Sequence, residues 1–168
     1  MPNTPSRLTD NFVLSEFAVS SSFPELVRPV PAVFLPKVRR LAVLLEGIRA
    51  KSGHPIRILS GYRPPALNRE VGGSPTSQHL SAEAVDIRFI MPTGSTERLG
   101  LVELAVAAAD LVNRGSDVGQ VIVYPLQGFV HIALPSPRYP HSTLDLNKPP
   151  AYRYSRISGG LNALLPLL

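Results

Sequence analysis

The chain has 168 residues, of which 44% are hydrophobic, enough for one core of ordinary size, so we expect one domain plus terminal segments. Cysteine is absent, which excludes disulfides, thiolate nucleophiles and thiolate metal ligands. The net charge of +5, carried mostly by Arg, favours anionic partners, although a modest positive balance also serves solubility alone.

The sequence predicts neither a membrane span nor a secretory signal. The longest apolar run, LAVLLEGI, is interrupted by Glu46 and is too short to cross a bilayer. The first residues, MPNTPSRLTDNF, carry prolines and an acid where a signal needs a basic start and an apolar block. We therefore expect no membrane partner and a chain that is cytoplasmic when synthesised. No basic block is interleaved with aromatic residues, so nucleic acid is not favoured as a partner.

The amino-terminal segment and the first helix come next in chain order. Residues 8–36 mix apolar residues with Pro and Ser, which predicts loop and short turns. We expect Phe12, Leu14 and Phe17 to pack on the core. Residues 37–51 have apolar side chains at steps of three and four, which predicts an amphipathic helix ended by Gly53. Its predicted core positions are Val38, Leu41, Leu44, Leu45 and Ile48.

Two strands and a second helix are predicted in the middle of the chain. PIRILSGYRPP predicts a short strand over 56–60, followed by a long loop over 66–78. AVDIRFI predicts a second strand over 84–90. The helix TERLGLVELAVAAADLVNR follows, capped by Thr96 or Ser95 and ended at Gly115. Its predicted buried stripe is Leu101, Leu104, Ala105, Ala108, Leu111 and Val112.

The last two strands complete the predicted domain. VGQVIVY and GFVHIAL are apolar segments separated by PLQG, a spacing that suits a hairpin or neighbouring antiparallel strands. The elements predict an α+β domain over 1–134, with a mostly antiparallel β-sheet and flanking helices. Residues 135–168 are rich in Pro, Ser, Tyr and Arg and predict an extended or weakly ordered tail.

Three titratable side chains form the candidate chemical site. His79 lies in SQHLSAEAVDIRF, Asp86 lies in the strand that follows, and His131 lies in the last strand. Two imidazoles and one carboxylate are the ligand set of a catalytic zinc site, which leaves a fourth position for water. Taken singly, each residue has an ordinary interpretation as a hydrogen-bonded core histidine or an aspartate paired with Arg. The apolar neighbours of Asp86 and His131 in predicted interior strands favour the metal site.

These residues carry a resemblance to a known family. The pattern of Ser77, His79, Ala84 and Asp86, with SGYRPPALNREVGGSPTSQH upstream and FVHIAL downstream, resembles the M15 family of zinc D-Ala-D-Ala carboxypeptidases and peptidoglycan L,D-endopeptidases. The likeness is greatest to small members that bacteriophages often encode, and it covers roughly residues 8–134. It implies the hedgehog/DD-peptidase-like metallopeptidase fold.

The resemblance also implies roles for individual residues. His79, Asp86 and His131 match the zinc ligands. Ser77 matches a serine that supports the loop or contacts substrate, and a local turn hydrogen bond is the alternative. Arg63 matches an arginine that faces substrate and binds a carboxylate or an oxyanion, with a buried salt bridge as the alternative.

Two positions depart from the family pattern. The motif usually has Gly where this chain has Ala82, a change that is tolerated if the backbone angle there is ordinary. M15 enzymes commonly carry a proton-transferring acid at positions where this chain has Tyr124 and Gly128. Tyr124 can hydrogen bond an oxyanion but is a poor base at neutral pH. Glu83 and Asp117 are the candidate catalytic acids, although neither matches the usual position.

The sequence therefore favours a zinc peptidase that acts on peptidoglycan stem peptides, as a carboxypeptidase or an endolysin-type endopeptidase, and as a monomer. Because the usual acid is missing, the alternative is a virion or other wall-binding protein that keeps the fold and has lost turnover. A third hypothesis, nucleic-acid binding through the basic tail, requires binding that weakens steeply with salt.

Overall fold

The computed structural model describes residues 6–124, 126–137, 143–145 and 152–155. The helices are α1 (Leu35–Ser52), α2 (Pro65–Glu70) and α3 (Glu97–Asn113). The strands are β1 (Ile56–Ser60), β2 (Ala84–Phe89), β3 (Gln120–Tyr124), β4 (Phe129–Ala133), β5 (Thr143–Asp145) and β6 (Tyr152–Ser155). They form one antiparallel sheet in the order β1-β2-β4-β3-β6-β5. The predicted α+β class with flanking helices is confirmed.

Helix α1 begins and ends where its sequence allows. Pro36 occupies the first turn, where a missing N–H costs no hydrogen bond. Gly53 closes the helix in the left-handed conformation, with φ of 74°, and its N–H donates to the Arg49 carbonyl at 2.8 Å. All five predicted core positions of this helix are buried. The periodicity of the sequence was therefore sufficient to orient α1.

The start and the buried face of helix α3 also agree with its sequence. The Thr96 hydroxyl accepts a hydrogen bond from the Leu99 N–H at 3.1 Å, so Thr96 is the cap. All six residues of its predicted stripe are buried. Burying that apolar face against α1 and the sheet holds the helix in place, since helices of this length are marginal alone.

The two faces of the sheet have different environments. Alternate residues of the central strands face the helices and join the core: Val85, Ile87, Val121, Val123, Val130 and Ile132. The intervening positions, which include Asp86 and His131, face a cavity instead. Phe12 and Phe17 of the amino-terminal segment are buried against each other in the core, as predicted.

Three predictions are changed or qualified by the structure. The predicted loop over 66–78 is wrong at its start, because Pro65–Glu70 forms α2, whose Leu67 is fully buried. Ala82 stands where the family motif usually has Gly, a change that we expected to be tolerated if the backbone angle there is ordinary. Ala82 instead has the left-handed conformation, with φ of 53° and ψ of 36°. That left-handed conformation costs a residue with a Cβ about 1–2 kcal/mol. Strands β5 and β6 lie within the segment predicted as a tail, most of which is outside the described residues, so the boundary at 134 stays a prediction.

Among the described residues, no helix combines the length and the hydrophobicity that crossing a membrane requires.

Candidate metal centre

His79 is presented by a short 3-10 helix, Gln78–Ser81, that leads into β2. The Ser77 side chain accepts a hydrogen bond from the His79 N–H at 3.4 Å and caps this turn. The Gln78 side chain donates to the Leu134 carbonyl at 2.9 Å, which ties the turn to the end of β4. These contacts hold the histidine over the sheet, and its side chain is buried.

Asp86 and His131 are presented by neighbouring strands. They are directly opposite each other in the pairing of β2 with β4, so their side chains leave the same face at adjacent points. Both are buried. The register therefore brings together two residues that are 45 positions apart in the chain.

Three ligand atoms converge at this point. Nε2 of His79 lies 3.2 Å from Nδ1 of His131 and 3.3 Å from Oδ1 of Asp86, and the last two atoms are 2.8 Å apart. Tetrahedral zinc with bonds of about 2.0–2.1 Å requires ligand atoms roughly 3.3 Å from one another. Among the described residues, His79, Asp86 and His131 form the one group of three His, Asp or Glu side chains whose ligand atoms are close enough to hold a metal ion. The donor set fits zinc.

Neighbouring groups prepare the histidine and the aspartate for this role. Nδ1 of His79 lies 2.7 Å from the Gly61 carbonyl oxygen. Because a carbonyl only accepts, Nδ1 carries the proton and Nε2 keeps its lone pair for a ligand. Burial lowers the pKa of His79, although Asp86 works against this shift. The imidazole therefore remains neutral near pH 7, as metal binding requires.

The Asp86 carboxylate is ionised and held from its other side. Burial alone would raise the pKa of Asp86, but electrostatic attraction to His79 and hydrogen bonds with His131 and His79 lower it well below its usual range. Its second oxygen accepts a hydrogen bond from the guanidinium of Arg63, whose Nε also donates to the Ser60 hydroxyl at 2.8 Å. Arg63 therefore makes the salt bridge that the sequence offered as one of its two interpretations, and it also lines the cavity.

The cluster forms part of the wall of a cavity of about 420 Å³. One side is the glycine-rich loop at 72–77, which includes Ser77, and the opposite side comes from β3 and β4. Tyr124 lines that second side, its ring stacked on Phe129 with centroids 4.5 Å apart. Arg63, Ser77 and Tyr124, the predicted substrate-binding residues, all border this cavity together with the ligands.

The two candidate acids are not brought to the cavity. Glu83 forms an ion pair with Lys37 of α1 at 2.7 Å and accepts from the Ser81 hydroxyl. Asp117 accepts from Nε of Arg40 at 2.7 Å and is half exposed. Neither borders the cavity. Asp86 is the only carboxylate among the described residues that line the cavity.

Sequence reasoning missed two residues that shape the site, Gln120 and Asn68. Gln120 is buried at the cavity wall, two positions before Ile122, which pairs with His131. Its polarity within an apolar strand was the available signal. Asn68 is buried, and its amide donates to the carbonyls of Gly73 and Ser74 at 3.2 and 2.9 Å, so it holds the glycine-rich wall. No sequence signal marked Asn68, because α2 was taken for loop.

Comparisons with known proteins identify the family. The family model described as Peptidase M15 matches residues 10–133. The chain therefore belongs to the peptidase M15 family. Among solved structures, it is similar to the L-Ala D-Glu endopeptidase ChiX of Serratia marcescens, with 26% identity and a TM-score of 0.45 over 66% of this chain and 92% of that one. A search of curated proteins finds no match.

Proposed function

We propose that the protein is a zinc peptidase that hydrolyses peptide bonds in the stem peptides of bacterial peptidoglycan, as a D-Ala-D-Ala carboxypeptidase or an endolysin-type endopeptidase. The observation that carries the proposal is the convergence of His79 Nε2, His131 Nδ1 and Asp86 Oδ1 within 3.3 Å of one another at the wall of an open cavity. Membership of the peptidase M15 family supports both the reaction and the substrate class.

His79, Asp86 and His131 are the residues that would hold the metal. Zinc supplies a Lewis acid and lowers the pKa of a bound water to about 7. The Gly61 carbonyl keeps the His79 ring in the ligand tautomer, and Arg63 fixes the orientation of the Asp86 carboxylate. Both contacts prepare the ligands before substrate enters, which favours catalysis because no reorganisation is needed at the moment of reaction.

The cavity walls supply the substrate contacts in this proposal. Arg63 can reach an anionic oxygen of the substrate from its place beside Asp86. Tyr124 and Phe129 offer a stacked pair of rings for apolar contact. The Gln120 carboxamide can both donate to and accept from a peptide group.

A second candidate function has a specific observation in its favour. Among the described lining residues, Asp86 is the carboxylate, and it is already bound by Arg63 and His131. Loss of a general base typically costs on the order of 10²–10⁴ in rate. The alternative is therefore a wall-binding protein, such as a virion component, that retains the metal and turns over slowly or not at all.

Zinc content and turnover separate these functions. Purified protein loaded with zinc is incubated with muropeptides, and the products are resolved by mass spectrometry. We expect cleavage at one defined bond, one zinc per chain, and loss of both in His131→Ala. His54→Ala is the matched control, since His54 pairs with Glu103 at 2.7 Å outside the cavity. One bound zinc without cleavage would favour the wall-binding function, and absence of zinc binding would refute both.

The biological setting belongs to the same proposal. We infer a monomer of the small bacteriophage type that meets the wall when the host lyses or when a particle delivers it. Detection of D-alanine release rather than internal cleavage would assign the carboxypeptidase reaction.

A further inference from the structure

The open face of the sheet continues past the metal cluster into a row of two arginines and two aromatic rings. Arg57 of β1 lies directly opposite Arg88 of β2. Arg88 is two positions beyond Asp86 and so leaves the sheet on the same face. Continuing the pairing of β2 with β4 places Phe129 next, and Phe129 is opposite Tyr124 of β3. We call these four residues the arginine-aromatic row.

The row borders the metal cavity at one end and a separate groove at the other. Tyr124 and Phe129 line the cavity, whereas Arg57 and Arg88 line a groove of about 300 Å³ that is also bordered by residues 89–95 and by the first turns of α3. Two residues along a strand span about 7 Å. The backbone of Arg88 is therefore roughly that far from the backbone of Asp86, within the length of a short peptide.

Among the described residues, the arginine pair has one weak carboxylate contact. Side chains directly opposite on antiparallel strands have Cβ atoms about 5 Å apart, and like charges there are destabilising. Nη1 of Arg88 is 3.8 Å from Oε1 of Glu97, whose side chain is 91% exposed, a contact that stabilises little. Within the described part of the chain, the Arg57 side chain has no ion pair. An anion held between the two guanidinium groups would remove the repulsion.

We propose that the arginine-aromatic row is a subsite for a substrate carboxylate one or two residues from the scissile bond. The protein then binds stem peptides in which the carboxylate of the acidic residue is free more tightly than stem peptides in which that carboxylate is amidated. The inference rests on the proposed function, which supplies the peptide class. Each residue of an extended peptide spans about 3.3–3.6 Å, so a carboxylate at Arg57 and Arg88 belongs to a close neighbour of the bond held at the metal cluster.

The chemistry of the row matches this ligand. Guanidinium groups bind carboxylates through two parallel hydrogen bonds, and Arg88 has Arg57 opposite it on one side and, by strand register, Phe129 on the other. The stacked rings of Tyr124 and Phe129 provide an apolar floor for the chain between the bond and the carboxylate. The guanidinium of Arg63 is already bound to Asp86 and Ser60. Arg57 and Arg88 therefore offer the substrate cationic groups that are not engaged by the metal cluster.

Peptide binding tests the subsite without requiring turnover. Zinc-loaded protein is titrated by calorimetry with two stem tripeptides, both amidated at the carboxyl terminus. One has a free D-glutamate α-carboxylate and the other has it amidated. We expect the free form to bind the wild type about 10-fold or more tightly, as two charge-assisted hydrogen bonds warrant. The double variant Arg57→Gln/Arg88→Gln should reduce this ratio to about one, mainly by weakening binding of the acidic peptide.

A charge-matched control and a third peptide complete the design. Arg39→Gln removes the same charge from an exposed position of α1 on the other side of the sheet, and it should retain the preference. A third peptide, in which only the terminal carboxylate is free, shows which substrate carboxylate the subsite binds. If the wild type prefers this peptide and the double variant does not, the subsite binds the carboxylate at the chain end. If the double variant does not fold, the two single variants carry the same comparison.

The outcomes also separate the subsite from the proposed function. Equal binding of both peptides by the wild type, no binding of any peptide, or a preference that survives in the double variant overturns the subsite. An equal loss in Arg39→Gln overturns it as well, since net charge alone would then explain the effect. A preference that depends on the arginines, found in samples that cleave nothing, supports the subsite and counts against the peptidase reaction.

Discussion

Gly61→Ala tests how the fold prepares His79 for metal binding. A Cβ placed on Gly61 would lie 2.3 Å from the Phe17 carbonyl oxygen and 2.8 Å from its carbon. Both are backbone atoms, and the same carbonyl accepts a hydrogen bond from the Tyr62 N–H at 2.7 Å. No rotamer change can relieve this overlap, so one backbone must move. Overpacking of this kind costs about 1–3 kcal/mol of unfolding free energy.

The displaced group is the carbonyl that orients the ligand. The Gly61 carbonyl oxygen accepts a hydrogen bond from Nδ1 of His79 at 2.7 Å. Loss of a hydrogen-bond partner that orients a metal ligand typically lowers metal affinity about 10–100-fold. Zinc dissociation constants, measured by competition with a chromophoric chelator, should show that loss in Gly61→Ala. In Gly47→Ala the new Cβ meets only the tip of the Leu111 side chain, at 3.0 Å, so zinc affinity should be unchanged. Wild-type zinc affinity in Gly61→Ala would refute the proposed role of this carbonyl.

Three further predictions concern stability. Burial alone would raise the pKa of Glu46, but its hydrogen bonds, which include two from Asn11 at 2.9 Å, lower it below 4.5. Glu46→Gln should therefore lower the free energy of unfolding in urea at pH 7, and the difference from the wild type should shrink as the pH falls below 4.5. A difference that does not change with pH would contradict this prediction. Asn68→Ala leaves two carbonyls of the glycine-rich wall without their donor, so we expect a loss of about 1–3 kcal/mol and a raised KM. Leu45→Ala should cost about 2–5 kcal/mol in the core, whereas Val43→Ala, at a position 63% exposed, should change stability by less than about 0.5 kcal/mol.

Local patterns in the sequence were enough to place the two long helices and the first four strands. The three- and four-residue spacing in α1 and α3 predicted which side chains are buried, and Gly53 and Thr96 marked helix ends through the conformation and hydrogen bond that those residues favour. Helix α2 was missed because its six residues, which begin at the second proline of a pair, carry too little periodicity to identify a helix. Its buried Leu67 contacts partners that the local sequence does not reveal.

The candidate acids show where residue type stops being informative. Glu83 and Asp117 were selected because a carboxylate was needed near the metal, yet each is paired with a cation of α1, Lys37 and Arg40 respectively. Strand alternation and helix packing decide which face such a side chain reaches. Those depend on the partners of an element and not on its own sequence.

The sequence by itself determined the α+β class, the order of the two long helices and the first four strands, and the three side chains that could hold a metal, because composition, periodicity and motif spacing are local properties of the chain. Only the tertiary structure decided that Asp86 stands opposite His131, that the Gly61 carbonyl sets the His79 tautomer, and that Arg57 faces Arg88 beyond the cavity. Strand register fixes the first and the last of these contacts, and a shift of one residue would turn each strand's side chains to the other face, whereas the Gly61 contact depends on how the 3-10 helix packs over the end of β1.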